Sequence, residues 1–241
     1  MSYIYNTIIF EPFYNGFIFL INLFPFFDAG VIIVIFTIII KIIILPLSIK
    51  ASKTQIEMKS TENDLAQIKE KHKNDKAEQS KQIMEYYKKR GINPFAGIFI
   101  LIIQLPILIG LYQVFIKSGL PKIDSTVLYS FVTAPIAVNM VFLGLIDLSG
   151  KSLLLALIAG ITTYFQISHS AGSQPQQTKG TQGDIARAMA VQMKYFFPIL
   201  MTFIAYTISS AIAIYFITSN VFAIGQEIYI KKKYHKDVTV V

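Results

Sequence analysis

From Ala29 to Leu47 the chain is almost unbroken Val, Ile, Phe and Leu, and Lys41 is its one charge. Roughly 20 apolar residues are what a helix needs to cross hydrocarbon, so 29–49 predicts a first span. Pro46 falls near its end, and Ser48, Lys50 and Lys53 mark the exit into water. The pattern then inverts. Residues 50–91 hold ten Lys, one Arg and seven acidic residues around a thin apolar stripe of Ile56, Leu65, Ile68, Ile83 and Met84. Lys, Glu, Gln and Ala favour helix and Asn74-Asp75 reads as a turn, so this block predicts a charged helical hairpin, weakly packed and mobile.

Apolar residues return after Gly91-Ile92-Asn93-Pro94, a start signal because proline is tolerated in the first turn of a helix; 92–117 predicts a second span. Residues 118–150 carry Pro121, Pro135, Gly144 and Gly150, with only Lys122, Asp124 and Asp147 charged. They predict an outer connection running to 151, followed by a third span over 152–170. The Ala-Gly-Ser-Gln-Pro-Gln-Gln stretch opens a flexible loop over 171–187. No formal charge stands between Tyr195 and Gln226. With its flanks this stretch is long enough for a fourth span (188–207) and a fifth (208–230), turning tightly at Thr207-Ile208-Ser209-Ser210. A basic tail, 231–241, closes the chain with Lys231, Lys232, Lys233 and Lys236. At the other end, 1–28 is aromatic and apolar but broken by Glu11, Pro12, Asn15, Gly16, Asn22 and Pro25. That mixture suits the membrane interface and predicts an amphipathic segment on the outer surface, with an extra span as the alternative.

Composition agrees with the pattern: 54% of 241 residues are apolar and 15% charged, more apolar surface than a soluble domain needs. The expected fold is an all-α membrane protein, a five-transmembrane-helix bundle with a cytoplasmic helical hairpin. A net charge of +8 alone would point to nucleic acid. Its carriers instead cluster in the 50–91 block, beside the 171–187 loop (Arg187, Lys194) and in the tail, the distribution of cytoplasmic loops. The N-terminus is then outside and the C-terminus cytoplasmic. Cysteine is absent, which excludes disulfides, thiolate metal sites and thiol nucleophiles. The opening Met1-Ser-Tyr-Ile-Tyr-Asn has neither the basic region nor the cleavage site of a signal peptide.

Lys41 carries the most information. A cation well inside a span costs about 2.5–3.5 kcal/mol and usually faces a cavity or partner. The alternative is snorkelling, since Lys50 is nine residues on, roughly 13 Å at helical rise. Thr37, Gln104, Gln113, Thr162, Thr163, Gln166, Thr202, Ser219 and Asn220 add polar groups inside the spans. Thr37 shares a helix face with Lys41, and Thr162, Thr163 and Gln166 allow a polar face on the third span. Each alone is explained by a bond across a helix interface; a set that includes a cation is better explained by a hydrated internal cavity. His72, His169 and His235 lack metal-ligand spacing, and no phosphate loop, nucleophile elbow or paired intramembrane carboxylates occur. No enzyme, metal or cofactor is expected.

Four separated segments resemble one family. Tyr-Lys-Lys-Arg-Gly-Ile-Asn-Pro-Phe-Ala-Gly (87–97), leading to Gln-Leu-Pro-Ile-Leu-Ile-Gly-Leu-Tyr (104–112), is similar to the second core helix of the YidC/Oxa/Alb insertases. Lys-Tyr-Phe-Phe-Pro-Ile-Leu-Met (194–201) and Ala-Ile-Tyr-Phe-Ile-Thr-Ser-Asn-Val-Phe-Ala-Ile-Gly-Gln-Glu (213–227) resemble its last two helices, and Lys-Ile-Ile-Ile-Leu-Pro-Leu-Ser (41–48) the end of its first. The resemblance covers the chain from about residue 10 and includes the order of spans, hairpin and loop. It implies an insertase of a bacterial-type plasma membrane, with a hydrophilic groove open to the cytoplasm and lipid and closed on the outside. A client parks its polar segment in that groove while its apolar segment slides into lipid beside the third and fifth spans. Lys41 stands at the family's basic groove position, where arginine is usual, and Phe216 where bacterial members commonly have tryptophan. The implied groove residues are Lys41, Thr37, Gln104, Gln166, Thr163, Thr202, Ser219 and Asn220. The implied partners are nascent membrane protein clients, membrane lipids, the Sec translocation channel and the ribosome, and not DNA. The residues alone leave two other readings open: a small transporter or channel with Lys41 as an ion site, and a scaffold subunit.

Overall fold

The computed structural model describes residues 5–93, 95–117, 120–170 and 181–238. Eight α-helices carry the fold: α1 (Glu11–Leu23), α2 (Ala29–Ser60), α3 (Glu62–Lys71), α4 (Lys76–Lys89), α5 (Ala96–Tyr112), α6 (Leu153–His169), α7 (Thr181–Ile208) and α8 (Ser210–Val238). The connection between α5 and α6, expected from the sequence to be the outer one, adds a two-stranded antiparallel hairpin, β1 (Val141–Phe142) and β2 (Ile146–Asp147). The molecule is an all-α membrane protein. Among the described residues Ala29–Ser60, Val191–Ile208 and Ser210–Lys233 are long and apolar enough to cross a membrane, and Gln104–Phe115 and Leu153–His169 are shorter apolar helices.

Helix α8 is the central post. It packs on α2 and α6; α7 lies against α6, and α5 and α1 against α2. Half of the residues in the most apolar stretch of α8 are buried, against 11% for α7. Six consecutive residues, Ala211 to Phe216, are buried, which requires neighbours all round the helix rather than on one stripe. In α7 the large side chains Tyr195, Phe196, Ile199 and Phe203 are exposed, as lipid-facing side chains would be.

Two helices run further than their apolar patterns. Pro46 lies within α2, yet the helix continues to Ser60. Proline removes one backbone donor and strains the preceding turn. The extension is held because Ala51, Ser52 and Ile56 are buried, Ile56 in a cluster with Ile230 of α8 and with Ile49. Tertiary packing overrides the local break. Helix α8 likewise runs through the basic residues to Val238. The turn between α7 and α8 falls at Ser209. Of the 171–187 loop, 171–180 lies outside the described residues, as do Pro94 and 239–241; α7 is already helical at Thr181.

The segment before Asp28 is a helix with its inner face in the main core. Tyr14, Phe17, Ile18, Leu20 and Ile21 are buried there, and Phe17 meets Phe36 and Phe115 edge to face. The polar interruptions of this segment are its ties to the outer connection. Buried Asn15 donates to the Val127 carbonyl at 2.9 Å and accepts from the Tyr129 amide at 2.6 Å; Asn22 donates to the Thr133 carbonyl at 2.6 Å. Tyr14 Oη accepts from the Asp124 amide at 2.8 Å.

Helices α3 and α4 form the charged hairpin, with Asp75 capping α4 through the Ala77 and Glu78 amides. Leu65, Tyr87 and Ile92 form its small core, with Ile68, Ile83 and Tyr86 against it. Of the expected stripe, Ile56 packs on α8 instead and Met84 is 50% exposed. Asp64 accepts from the Tyr86 hydroxyl and, at 3.2 Å, from Arg90 Nη2. Burial first, then this bond to Asp64, raises the Tyr86 phenol above its ordinary value of 10.0. A raised folded-state value means that this contribution is intact below pH 10 and is lost as pH climbs through the folded value. Amide exchange across 62–90 should therefore accelerate above pH 10 beyond its intrinsic base catalysis, and Tyr86→Phe should remove that excess. Identical excess in both proteins would show that Tyr86 does not hold the hairpin.

Candidate functional site

Two polar clusters lie on opposite flanks of α8. In the first, Lys41 Nζ of α2 donates to Gln104 Oε1 of α5 at 3.2 Å, and Gln104 Nε2 donates to the Tyr215 hydroxyl of α8. Ser219, one turn further along α8, is buried on the same helix face as that phenol. Lys41 is half-buried and Tyr215 fully buried. The chain thus crosses three helices within an otherwise apolar region. Its logic is one of satisfaction: a buried phenol needs a partner, an amide offers both a donor and an acceptor, and an ammonium needs an acceptor. Gln104 relays between the two.

In the second cluster, Asn220 Nδ2 donates to Thr163 Oγ1 at 2.8 Å and Thr162 Oγ1 at 3.2 Å, joining α8 to α6. Thr163 donates in turn to the Ala159 carbonyl at 2.7 Å. Five residues separate Tyr215 from Asn220, roughly 140° around a helix, so one post serves both flanks. Of the other expected groove residues, Thr37 is buried and returns its hydroxyl to the Ile33 carbonyl at 2.7 Å, and Thr202 does the same to Pro198 at 2.9 Å. Neither joins Lys41. Gln166 is half-buried on α6, and no hydrogen bond links its side chain to either cluster among the described residues.

A third set of polar contacts closes the end of the bundle nearest the hairpin. Ser52 Oγ donates to Glu227 Oε1 at 2.7 Å, and Gln226 Nε2 to Ser48 Oγ at 2.7 Å, tying α2 to α8. Both Ser52 and Glu227 are buried. Lys231 donates to the His169 carbonyl at the C-terminus of α6, where a cation also meets the negative end of the helix dipole. Tyr215, Ser52 and Glu227 escape a reading of the sequence. A tyrosine in an apolar run looks like packing, and Glu227 follows the uncharged stretch where water is expected. The available signal was spacing: 215, 219 and 226 share a face with i, i+4 and i+11 periodicity.

The opposite end is laced shut. Asp28 caps α2 through the Gly30 and Val31 amides and accepts the Leu143 amide with its second oxygen at 3.1 Å. The Ala29 amide donates to Asn139 at 2.8 Å, and Ser210 bonds the Gly150 carbonyl through both its amide and its hydroxyl, each at 2.9 Å. Among the described residues no group of three His, Asp or Glu side chains is placed to hold a metal.

Residues 20–237 match the family model described as 60Kd inner membrane protein. The chain is 33% identical over 235 residues to a membrane protein insertase YidC of Fusobacterium nucleatum subsp. nucleatum, covering 97% of this chain and 99% of that one. It is 32% identical to the protein of the same name from Clostridium tetani, covering 86% of this chain and 84% of that one. Against the longer insertase YidC of Syntrophus aciditrophicus the identity is 31%, over 86% of this chain and 33% of that one.

Proposed function

The chain belongs to the YidC family of membrane protein insertases, the 60Kd inner membrane proteins, and we propose that it inserts clients by holding their polar segments in a hydrophilic groove within the membrane. The observation that carries this reading is the Lys41–Gln104–Tyr215 chain. A cation costly to bury is kept beside a neutral amide rather than a carboxylate, so its charge is not cancelled by that neighbour. It is then available to an acidic client segment. Around it, Gln104, Tyr215 and Ser219 offer donors and acceptors that replace water, which lowers the cost of carrying a polar segment partway across. Thr163 and Asn220 extend polar lining along α6 and α8, while Thr37, Gln166 and Thr202 contribute hydroxyls and an amide when helices part. The laced outer connection supports a groove closed on that side. The client's apolar segment would enter lipid beside α6 and α8.

The protein is an inner membrane protein. The basic residues of α3, α4 and the tail support a topology with those elements cytoplasmic and the N-terminus outside. In that orientation the hairpin receives clients, and the Sec channel and the ribosome are the partners proposed for the same face. The tail's attraction to ribosomal RNA or anionic lipid would be mainly electrostatic.

The test is insertion of a single-span client with an acidic outer tail into liposomes, read by protease protection. Proteoliposomes should protect the tail well above empty liposomes. Equal protection in both, with the reconstituted protein shown to be folded, would overturn the insertase reading of this chain.

A further inference from the structure

The outer connection carries more apolar surface than its role as a brace explains. From Ser125 to Ile146 it has no charged residue. Its hairpin ends in the three-residue loop Leu143-Gly144-Leu145, whose first two residues have φ of 50° and 72°. Asn, Asp or Gly is the usual occupant of such a left-handed position. Leucine there is disfavoured by its Cβ, yet Leu143 is 64% exposed and Leu145 83%. An apolar side chain held against its backbone preference and then left in water gains nothing from either.

The hairpin's position removes the paradox. Phe142 packs directly against the start of the first membrane-crossing helix: a Cβ added at Gly30 would fall 2.2 Å from its Cδ2. The Leu143 amide is bonded to Asp28, and the Ala29 amide to Asn139. The loop is thus pinned level with the first turn of α2, where the long apolar run of that helix begins. Phe26 and Phe27, just before Asp28, are 96% and 47% exposed at the same level. Lys151, over the Tyr206 ring at 5.9 Å, is another amphipathic pairing of the kind found at that depth.

We propose that the Leu143–Leu145 loop, with Phe26 and Phe27, is a lipid-contact site that sits in the interfacial region of the outer leaflet and fixes the depth of the outer connection. Lipid is the occupant because the loop is fastened to a spanning helix at the membrane boundary and its flanking segment is uncharged. A second copy of the chain or another protein would cover it differently, and the same experiment separates them.

Because the sequence has no cysteine, Leu145→Cys carries a single nitroxide label into proteoliposomes. Its collision rates with oxygen, which concentrates in lipid, and with a water-soluble nickel chelate report depth. Leu157→Cys on the exposed face of α6 serves as the lipid reference and Lys88→Cys on α4 as the aqueous one. The expected oxygen-to-nickel ratio at Leu145 lies between the two references, several-fold above the Lys88 value and below that at Leu157. A ratio equal to that at Lys88 would overturn the proposal. So would low collision rates with both reagents, which would mean that protein covers the loop. If Leu145→Cys fails to fold, Leu143→Cys gives the same reading from the other side of Gly144.

Discussion

Lys41→Ala should lower insertion of a client with an acidic outer tail about tenfold, equivalent to about 1.4 kcal/mol, while a client with a neutral tail loses far less. The figure is modest because the site is half-buried. Two unit charges 4 Å apart share about 4 kcal/mol at an effective dielectric of 20, and a groove open to water recovers only part of that. Lys41→Arg should retain insertion, since it keeps the charge and adds donors. Protease protection of the two clients in proteoliposomes separates the explanations. A loss confined to the acidic tail assigns the residue to client attraction. Equal insertion by Lys41→Ala and the parent chain would reduce Lys41 to a side chain reaching for the interface. An equal loss with both clients would mean that the Gln104–Tyr215 pair needs Lys41 to hold the helices.

Gly160→Val should destabilise the bundle more than any surface change. Helices α6 and α7 approach so closely that a Cβ at Gly160 would fall 1.9 Å from Thr202 Oγ1 and 3.1 Å from the Pro198 carbonyl oxygen. Small residues permit such contact between membrane helices. Gly160→Ala should cost about 1–3 kcal/mol, the usual range for overpacking. Adding Thr202→Ala should recover most of that, because the closest clash is with a removable hydroxyl. Valine adds two further carbons to a Cβ that already lies 3.1 Å from the Pro198 carbonyl oxygen, so removing the Thr202 hydroxyl should not rescue it. Thermal unfolding in detergent would rank the variants. A Gly160→Val protein as stable as its parent would show that α6 and α7 do not pack at this distance.

The five apolar helices were legible in the sequence because each is a long run of one character, the first three set apart by polar connections and the last two divided by the short polar turn at Ser209-Ser210. Lys41 was legible for the same reason: a lone cation is conspicuous among Ile and Leu. Its partner Gln104 was visible as a polar residue, but not as a partner, because the pairing spans α2 and α5 across 63 positions. Tyr215 was hidden by its own ring, which suits an apolar run whether or not its hydroxyl is used. Thr37 shows the opposite case. Helical spacing sets it on the face of Lys41, yet its hydroxyl is consumed by the Ile33 carbonyl, a local bond that competes with any partner across the bundle. The continuation of α2 past Pro46 was likewise illegible locally, because the residues that hold it, Ile56 and Ile230, come from opposite ends of the chain.

The central placement of α8 has a consequence for how the protein itself is made. Synthesis runs from the N-terminus, so the helix that α2 and α6 pack around leaves the ribosome after both of them. Until residues 210–230 arrive, Gln104 lacks Tyr215, Thr163 lacks Asn220, and Ser52 lacks Glu227. The polar ties of both flanks therefore wait on one segment.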